Sequence, residues 1–393
     1  MPEASATKLL AAAQEPANGM ERLSDDTIAK CRAALAPHWL GTVEKPAMLS
    51  YATGVPKDWK LGLTAAQHGV PLVVAGLGMP RWPWYQGGRK KLPGSRRAMQ
   101  LMHALSPQQP VIFSDTGDLL IGNSLSRPHL DALSQIATSN RMLVAAECNS
   151  WPVCYRPLYV HDTEHQQCLG KHGACYPNSG VIVASARTLL TFFDAWAHII
   201  VHSGLAMSQS GHAKARARST TADALQLNSY RFAERWNDQA AIHRLYLNRS
   251  TYERDAFTLQ VDATNLFSLQ LWKCDGPQTS KKRFEYCFER PFEPAKGVRA
   301  NAEGTAVEYT DERGVRAAPF LVHSNGHHAV MRQNETHLQP LLDRFAAWPP
   351  PAELLRHPVV LVDTAKHGAC NLTTLGWMMN ATRWPEGAPN LKF

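Results

Sequence analysis

Short, continuously apolar runs alternate along this chain with stretches whose apolar residues recur at helical spacing. The runs are 46–53, 71–76, 109–113, 141–147 and the end of 174–185, each bounded by Gly, Pro, Asn or Ser. Runs of that length and boundary type predict strands buried on both faces. Between them, 59–68, 95–105, 127–139 and 188 to about 201 carry helical periodicity. Strand, helix, strand in that order predicts a doubly wound α/β sheet, in which ligands sit beyond the carboxyl ends of the strands. Further on, 236–246 reads as a helix, 259–262 and 266–271 as short strands, and 318–328 as an apolar strand breaking into polar residues. The pattern fades in four places. Residues 1–45 form an Ala-rich, partly helical extension, 205–226 a basic low-complexity insertion, and 275–317 a charged, turn-rich stretch. Residues 346–393 form a C-terminal extension with one strand-like run, 358–362. The expected organisation is therefore one large α/β domain, 46–345, with an extension at each end.

Chemistry gathers where apolar runs stop. Val111-Ile-Phe-Ser-Asp-Thr-Gly-Asp-Leu-Leu-Ile121 places Asp115 and Asp118 three apart after a strand. Paired carboxylates with open positions suit a hard divalent cation, Mg²⁺ or Mn²⁺, carrying a diphosphate; an ordinary turn between two strands is the competing reading. Gly76 to Lys91 holds too many Gly, Pro and Trp for helix or strand. Such a loop can stack a base and meet phosphate, or simply be surface loop. Asn178-Ser-Gly180 offers polar side chains beside a glycine that lets a ligand approach the backbone, and it is equally a common turn. Asp238 and Gln239 open the helix at 236–246. His323 ends an apolar run, where an imidazole serves either as metal ligand or as a hydrogen-bonded structural residue.

Composition narrows the classes. Hydrophobic residues make up 44% and charged residues 19%, with eleven Trp, which is ample for a core and for flat sugar- or base-binding faces. A net charge of +8 favours an anionic nucleotide. The basic residues fall in short patches at 86–97 and 214–218 and form no stripe, so no nucleic-acid partner is expected. No stretch reaches the length of a membrane span, and no signal peptide is visible at the N-terminus. None of the eight Cys shows zinc-finger spacing, whereas Cys148, Cys154, Cys168 and Cys175 cluster closely enough to form disulfides in an oxidising compartment. Four glycosylation sequons occur, at Asn248, Asn334, Asn371 and Asn380.

In chain order, Leu49 to Thr53, the Trp-Gly-Gly-Lys loop 82–90, Asp115-x-x-Asp118 and Val144-Ala-Ala-Glu-x-x-x-Trp-Pro152 are followed by Asn178-Ser-Gly180, Asp238-Gln239, Val261-Asp262 and His323-x-Asn-Gly326. Over roughly residues 47–332 this series resembles the N-terminal glycosyltransferase domain of the procollagen lysyl hydroxylase family. The resemblance implies a GT-A-like (Rossmann-like) mixed sheet flanked by helices, and Mn²⁺-dependent transfer of a hexose from UDP-glucose or UDP-galactose to a hydroxyl acceptor. It implies that Asp115, Asp118 and His323 bind Mn²⁺. Thr53, Trp82, Lys90, Asp115, Asn325 and Gly326 would meet the nucleotide, and Trp151, Asn178 and Asp238 would line the sugar and acceptor side. A collagen-like protein bearing hydroxylysine or galactosyl-hydroxylysine is the acceptor it suggests, and the secretory lumen the compartment. Two departures stand out. Thr116 and Gly117 are small where the family places an aromatic ring, and the family's acidic run is reduced to Asn237-Asp238. The chain also ends at Phe393 without the family's later domains, so lysyl hydroxylation is not expected. The alternatives are a catalytically weak UDP-sugar- or carbohydrate-binding module on the same fold and, with fewer ligands than it needs, a metal-dependent phosphoesterase.

Overall fold

The apolar runs do become strands buried on both faces. The computed structural model describes residues 24–39, 45–52, 54, 59–77, 87–117, 119–147, 150, 155, 158–210, 238–252, 256–273, 293–294, 297–311, 314–323, 338, 341, 343, 350–364 and 368–381. In chain order the elements begin with α1 (Asp25–Trp39), β1 (Ala47–Tyr51), α2 (Lys60–Gln67), β2 (Leu72–Ala75), α3 (Gly87–Leu105), β3 (Pro110–Ser114) and β4 (Leu119–Ile121). Then come α4 (Arg127–Thr138), β5 (Arg141–Glu147), α5 (Thr163–His172), β6 (Tyr176–Ser185), α6 (Ala186–Ser210), α7 (Asp238–Leu247) and α8 (Arg249–Tyr252). The second half adds β7 (Thr258–Asp262), β8 (Ser268–Gln270), β9 (Trp272–Lys273), β10 (Glu293–Pro294), β11 (Val298–Ala300), β12 (Val307–Thr310), β13 (Arg316–Ala317) and β14 (Leu321–His323). It closes with α9 (Ala352–Leu355), β15 (Pro358–Thr364), β16 (Gly368–Thr374) and α10 (Leu375–Ala381).

The fold is α/β. An 8-stranded mixed sheet has the order β16-β15-β2-β1-β3-β6-β5-β7. β1 is parallel to β2 and β3, and β5 to β7, while β6 runs antiparallel between β3 and β5. Alternate residues feed two cores. Ala47, Leu49, Val111, Phe113, Ile182 and Ala184 face α3, α6 and α7, and Met48, Ile112, Val181 and Val183 face α2, α4 and α10. A sheet covered on both sides needs apolar residues at nearly every strand position, which is why the runs are continuous rather than alternating. Two of the eleven Trp, Trp59 and Trp196, are fully buried in these cores.

Three elements depart from expectation. Residues 76–91 read as loop, yet α3 begins at Gly87, well ahead of the start expected at Ser95; packing of its buried face (Leu92, Ala98, Met99, Met102) on the sheet outweighs the unfavourable Gly and Pro. Asn178-Ser-Gly180 reads as a turn ahead of a strand, but all three lie inside β6, opposite a register break between Val144 and Ala145 of β5. The C-terminal extension supplies two strands of the main sheet: β15 pairs in parallel with β2, and β16 forms its edge. Within the basic insertion, residues 205–210 continue α6; the rest lies outside the described residues. The turn-rich stretch contains the three-stranded sheet β11-β12-β13. Cys168 pairs with Cys175, and Cys31 on α1 with Cys370 on β16. Of the clustered cysteines, Cys148 and Cys154 lie outside the described residues.

Behind β6, His165 is buried among Tyr159, Tyr176 and Tyr246 at ring-centroid distances of 4.3, 4.5 and 6.2 Å. Arg249 pairs with Asp162 (2.7 Å) and Glu164 (2.7 Å) beside it. Burial depresses the imidazole to about 4, although Asp162 opposes this. Because the folded-state value lies below the ordinary 6.5, the unfolded chain takes up this proton first. Stability is kept above pH 6.5 and lost as pH falls toward 4, by on the order of 2 kcal/mol. A His165→Phe chain should therefore lose less thermal stability than the parent between pH 7 and 4.5. Equal losses in paired melting curves would contradict this origin of acid sensitivity.

Candidate functional site

A small second sheet, β4-β14-β8, takes up the chain after β3 and β7 and shares a core with one face of the main one through Leu119, Ile121 and Leu321. β14 runs antiparallel to β4 with His323 opposite Leu119, the residue that follows Asp118. It also runs parallel to β8, and the Leu271 N–H donates to the His323 carbonyl (2.9 Å). Asp262, at the end of β7, holds β8 in place. Its carboxylate accepts from the N–H groups of Leu266 (3.0 Å), Phe267 (2.7 Å) and Ser268 (3.1 Å). Burial pushes this carboxyl up to about 6 against the pull of those donors. The Val261-Asp262 pair thus fixes the connection that leads to the His323 strand.

That pairing sets the imidazole of His323, which is 2% exposed, with its Nε2 4.0 Å from Oδ2 of Asp115. Asp115 caps the end of β3, its N–H donating to the Gly180 carbonyl (2.9 Å). Gly180 is there because the ring needs the space. A Cβ would lie 2.5 Å from Nδ1 of His323 and closer still to Cε1. The Gly180 N–H donates to Oδ1 of Asn178 (2.7 Å), so the strand cannot easily retreat. The small Thr116 also has a structural task. Its hydroxyl donates to the Tyr51 carbonyl, and its own carbonyl accepts from Nε1–H of Trp59 (3.1 Å). Ser50 Oγ lies within hydrogen-bonding distance of the Ser114 and Asp115 carbonyls (3.0 and 3.2 Å). The turn after β3 is thereby tied to β1.

On its other side, Oδ1 of Asp115 accepts a short bond from the Nζ of Lys91, a residue of α3. The same ammonium donates to Oδ2 of Asp238, the first residue of α7, at 3.1 Å. The Lys91 side chain is 7% exposed, against 33% for Asp115 and 21% for Asp238, and its Nζ sits 4.9 Å over the Phe113 ring. Burial alone would lower its pKa, but the two carboxylates outweigh burial and raise it above the ordinary lysine value. Asp238 Oδ1 accepts from the Gln239 N–H (3.0 Å). Buried Glu147, at the end of β5, then takes one bond from the Gln239 side chain and one from Nδ2 of Asn178 (3.0 Å). Asn178 Nδ2 also reaches Oε1 of Gln239 (3.3 Å).

Four of the expected residues, Asp115, Asn178, Asp238 and His323, are thus brought into one contiguous polar array. Glu147 and Gln239 belong to it and were assigned no role from sequence, and Lys91, in the stretch expected to meet phosphate, meets two carboxylates in it. Lys91 was the hardest to see, because it follows Lys90 in a stretch that reads as loop. Thr53, Trp82, Asp118, Trp151, Asn325 and Gly326 lie outside the described residues, and Lys90 is described only by its place on α3.

Two of the three expected donors, Asp115 and His323, stand at a separation that one cation could bridge. Metal–ligand bonds of about 2.1 Å leave two ligands of one ion roughly 3–4 Å apart, and Asp115 with His323 spans 4.0 Å. The carboxylate suits Mn²⁺, and the imidazole beside it suits divalent transition metals more generally. Among the described residues no group of three or more His, Cys, Asp or Glu is arranged to hold a metal ion; the third expected ligand, Asp118, is outside them. No helix among the described residues is long and apolar enough to cross a membrane. No protein-family model and no curated protein matches this chain.

Proposed function

We propose that the chain is a Mn²⁺-dependent glycosyltransferase with a GT-A-like fold, moving glucose or galactose from a UDP-sugar to a hydroxyl acceptor. One observation carries the reading: the antiparallel pairing of β4 with β14 sets His323 beside Asp115 at the carboxyl edge of an α/β sheet. That edge is where such sheets place nucleotides. Asp115 and His323, with Asp118 as the third ligand, hold the cation; when bound it neutralises the charge that builds on departing UDP.

The chain's own groups do the rest. Lys90 and Trp82 serve the nucleotide, and Trp151 and Asn178 line the sugar. Glu147 fixes the carboxamides of Asn178 and Gln239, which keeps Asn178 aimed and Asp238 at the head of α7. Asp238, partly open to solvent, orients the acceptor hydroxyl. Hydroxylysine and galactosyl-hydroxylysine of a collagen-like protein are the acceptors to examine first.

The test is release of UDP from UDP-glucose and UDP-galactose with Mn²⁺, with and without hydroxylysine-type and galactosyl acceptors. Mn²⁺-dependent release that vanishes in Asp118→Ala is expected. UDP binding that needs Mn²⁺ but turns over no donor would overturn the transferase reading in favour of a binding module.

A further inference from the structure

One buried cation in the site, Lys91, meets two carboxylates rather than phosphate. The Lys91 ammonium bonds Oδ1 of Asp115 and Oδ2 of Asp238 and is almost closed to solvent, while both carboxylates remain partly open on their other faces. The two carboxylates have different tasks. Asp115 presents its second oxygen to His323, on the cation and diphosphate side. Asp238 has its second oxygen on the Gln239 N–H, on the acceptor side. A single side chain from α3 therefore ties the end of β3 to the head of α7.

An ammonium cannot coordinate a metal; it can only compete with one for a carboxylate. We propose that Lys91 is a positioning residue that makes cation binding conditional on the nucleotide. It serves as the resident countercharge of Asp115 and Asp238 until a diphosphate arrives. This rests on the UDP-sugar reading and extends it to the order of assembly.

Lys91 offsets part of the negative charge of Asp115 and Asp238, and so weakens the pull of that pair on a divalent ion. A diphosphate adds the negative charge that lets both the metal and Lys91 be paired at once. The same contact holds the Asp115 carboxylate in the rotation that presents Oδ2 to His323, so Lys91 shapes the ligand pair as well as weakening it.

Mn²⁺ binding to the full chain, read from the electron paramagnetic resonance signal of free Mn²⁺ with and without UDP, separates this from a purely structural staple. A charge a few ångströms from a carboxylate alters its affinity for a cation by at least about tenfold. Lys91→Met should therefore bind Mn²⁺ alone at least about tenfold more tightly than the parent. With UDP bound the diphosphate pairs Lys91, so its loss should leave Mn²⁺ affinity in the UDP complex little changed, and the tightening produced by UDP should shrink by that factor. Lys91→Arg, which keeps the charge, should resemble the parent. If Lys91→Met does not fold, Lys91→Gln, which keeps a hydrogen-bond donor between the carboxylates, carries the same expectation. A folded, charge-free variant with equal or weaker Mn²⁺ affinity would overturn the role of Lys91 while leaving the UDP-sugar reading intact. Absence of Mn²⁺ binding in every protein, with or without UDP, would overturn that reading and this inference together.

Discussion

An Asp115→Ala chain is expected to lose Mn²⁺-dependent UDP release by a factor of about 10²–10³ or more, the scale of removing one preorganised electrostatic group from a transition state. Asp115 is the residue on which the array turns. Its N–H is fixed by Gly180, one carboxylate oxygen by Lys91, and the other faces His323. Removing the carboxylate deletes a proposed metal ligand and takes from the buried Lys91 ammonium one of its two carboxylate partners, leaving Asp238. Half-losing the partner of a buried charge costs stability as well, about 1–3 kcal/mol here because Asp115 is partly solvated. Melting curves should thus move down by several degrees while the chain stays folded. Donor turnover within a few-fold of the parent would remove Asp115 from the chemistry.

Gly180→Ala should do comparable damage by a different route. The added methyl falls inside the van der Waals surface of the His323 ring. The ring is walled in, and the strand is held at both Gly180 N–H and Gly180 carbonyl, so neither side yields easily. Overpacking of this kind costs about 1–3 kcal/mol, and the displaced imidazole should no longer meet the cation with Asp115. The pair is separable by a double substitution. Gly180→Ala with His323→Ala should recover much of the thermal stability lost by Gly180→Ala alone, yet bind Mn²⁺ no better. Recovery of neither would mean that Gly180 is constrained by something other than the ring.

Much of this scaffold was legible in the sequence, and the reasons are local. Arg141–Glu147 forms a strand over the bounds its composition predicts, and the helix expected at 59–68 appears as α2 with Trp59 and His68 as its caps. Both depend on period and on flanking residues, which a single sequence displays. The convergence of Asp115 and His323 was expected from resemblance, and its physical means is the β4–β14 pairing, a contact across some two hundred residues that no window of sequence contains.

What was not legible depends on partners. Whether β15 is an appendage or a strand of the main sheet is decided by β2, whose edge it covers. Asn178-Ser-Gly180 has the composition of a turn, and what keeps it in a strand is the pairing of Asn178 with Ala145 of β5 and the bond from the Asp115 N–H to the Gly180 carbonyl. Lys91 was hidden because Gly, Pro and Trp around it argue for loop, whereas the fold extends α3 to Gly87 and buries that lysine between two carboxylates. Thr116, which reads as the loss of an aromatic contact, turns out to tie the turn after β3 to β1.

The central claim is that one cation touches both Asp115 and His323. Pulsed electron paramagnetic resonance of Mn²⁺ bound with UDP tests it directly, because a coordinated imidazole imposes nitrogen modulations on the echo. Those modulations should be present in the parent and vanish in His323→Gln. Their absence from the parent, or their persistence in the variant, would contradict the account.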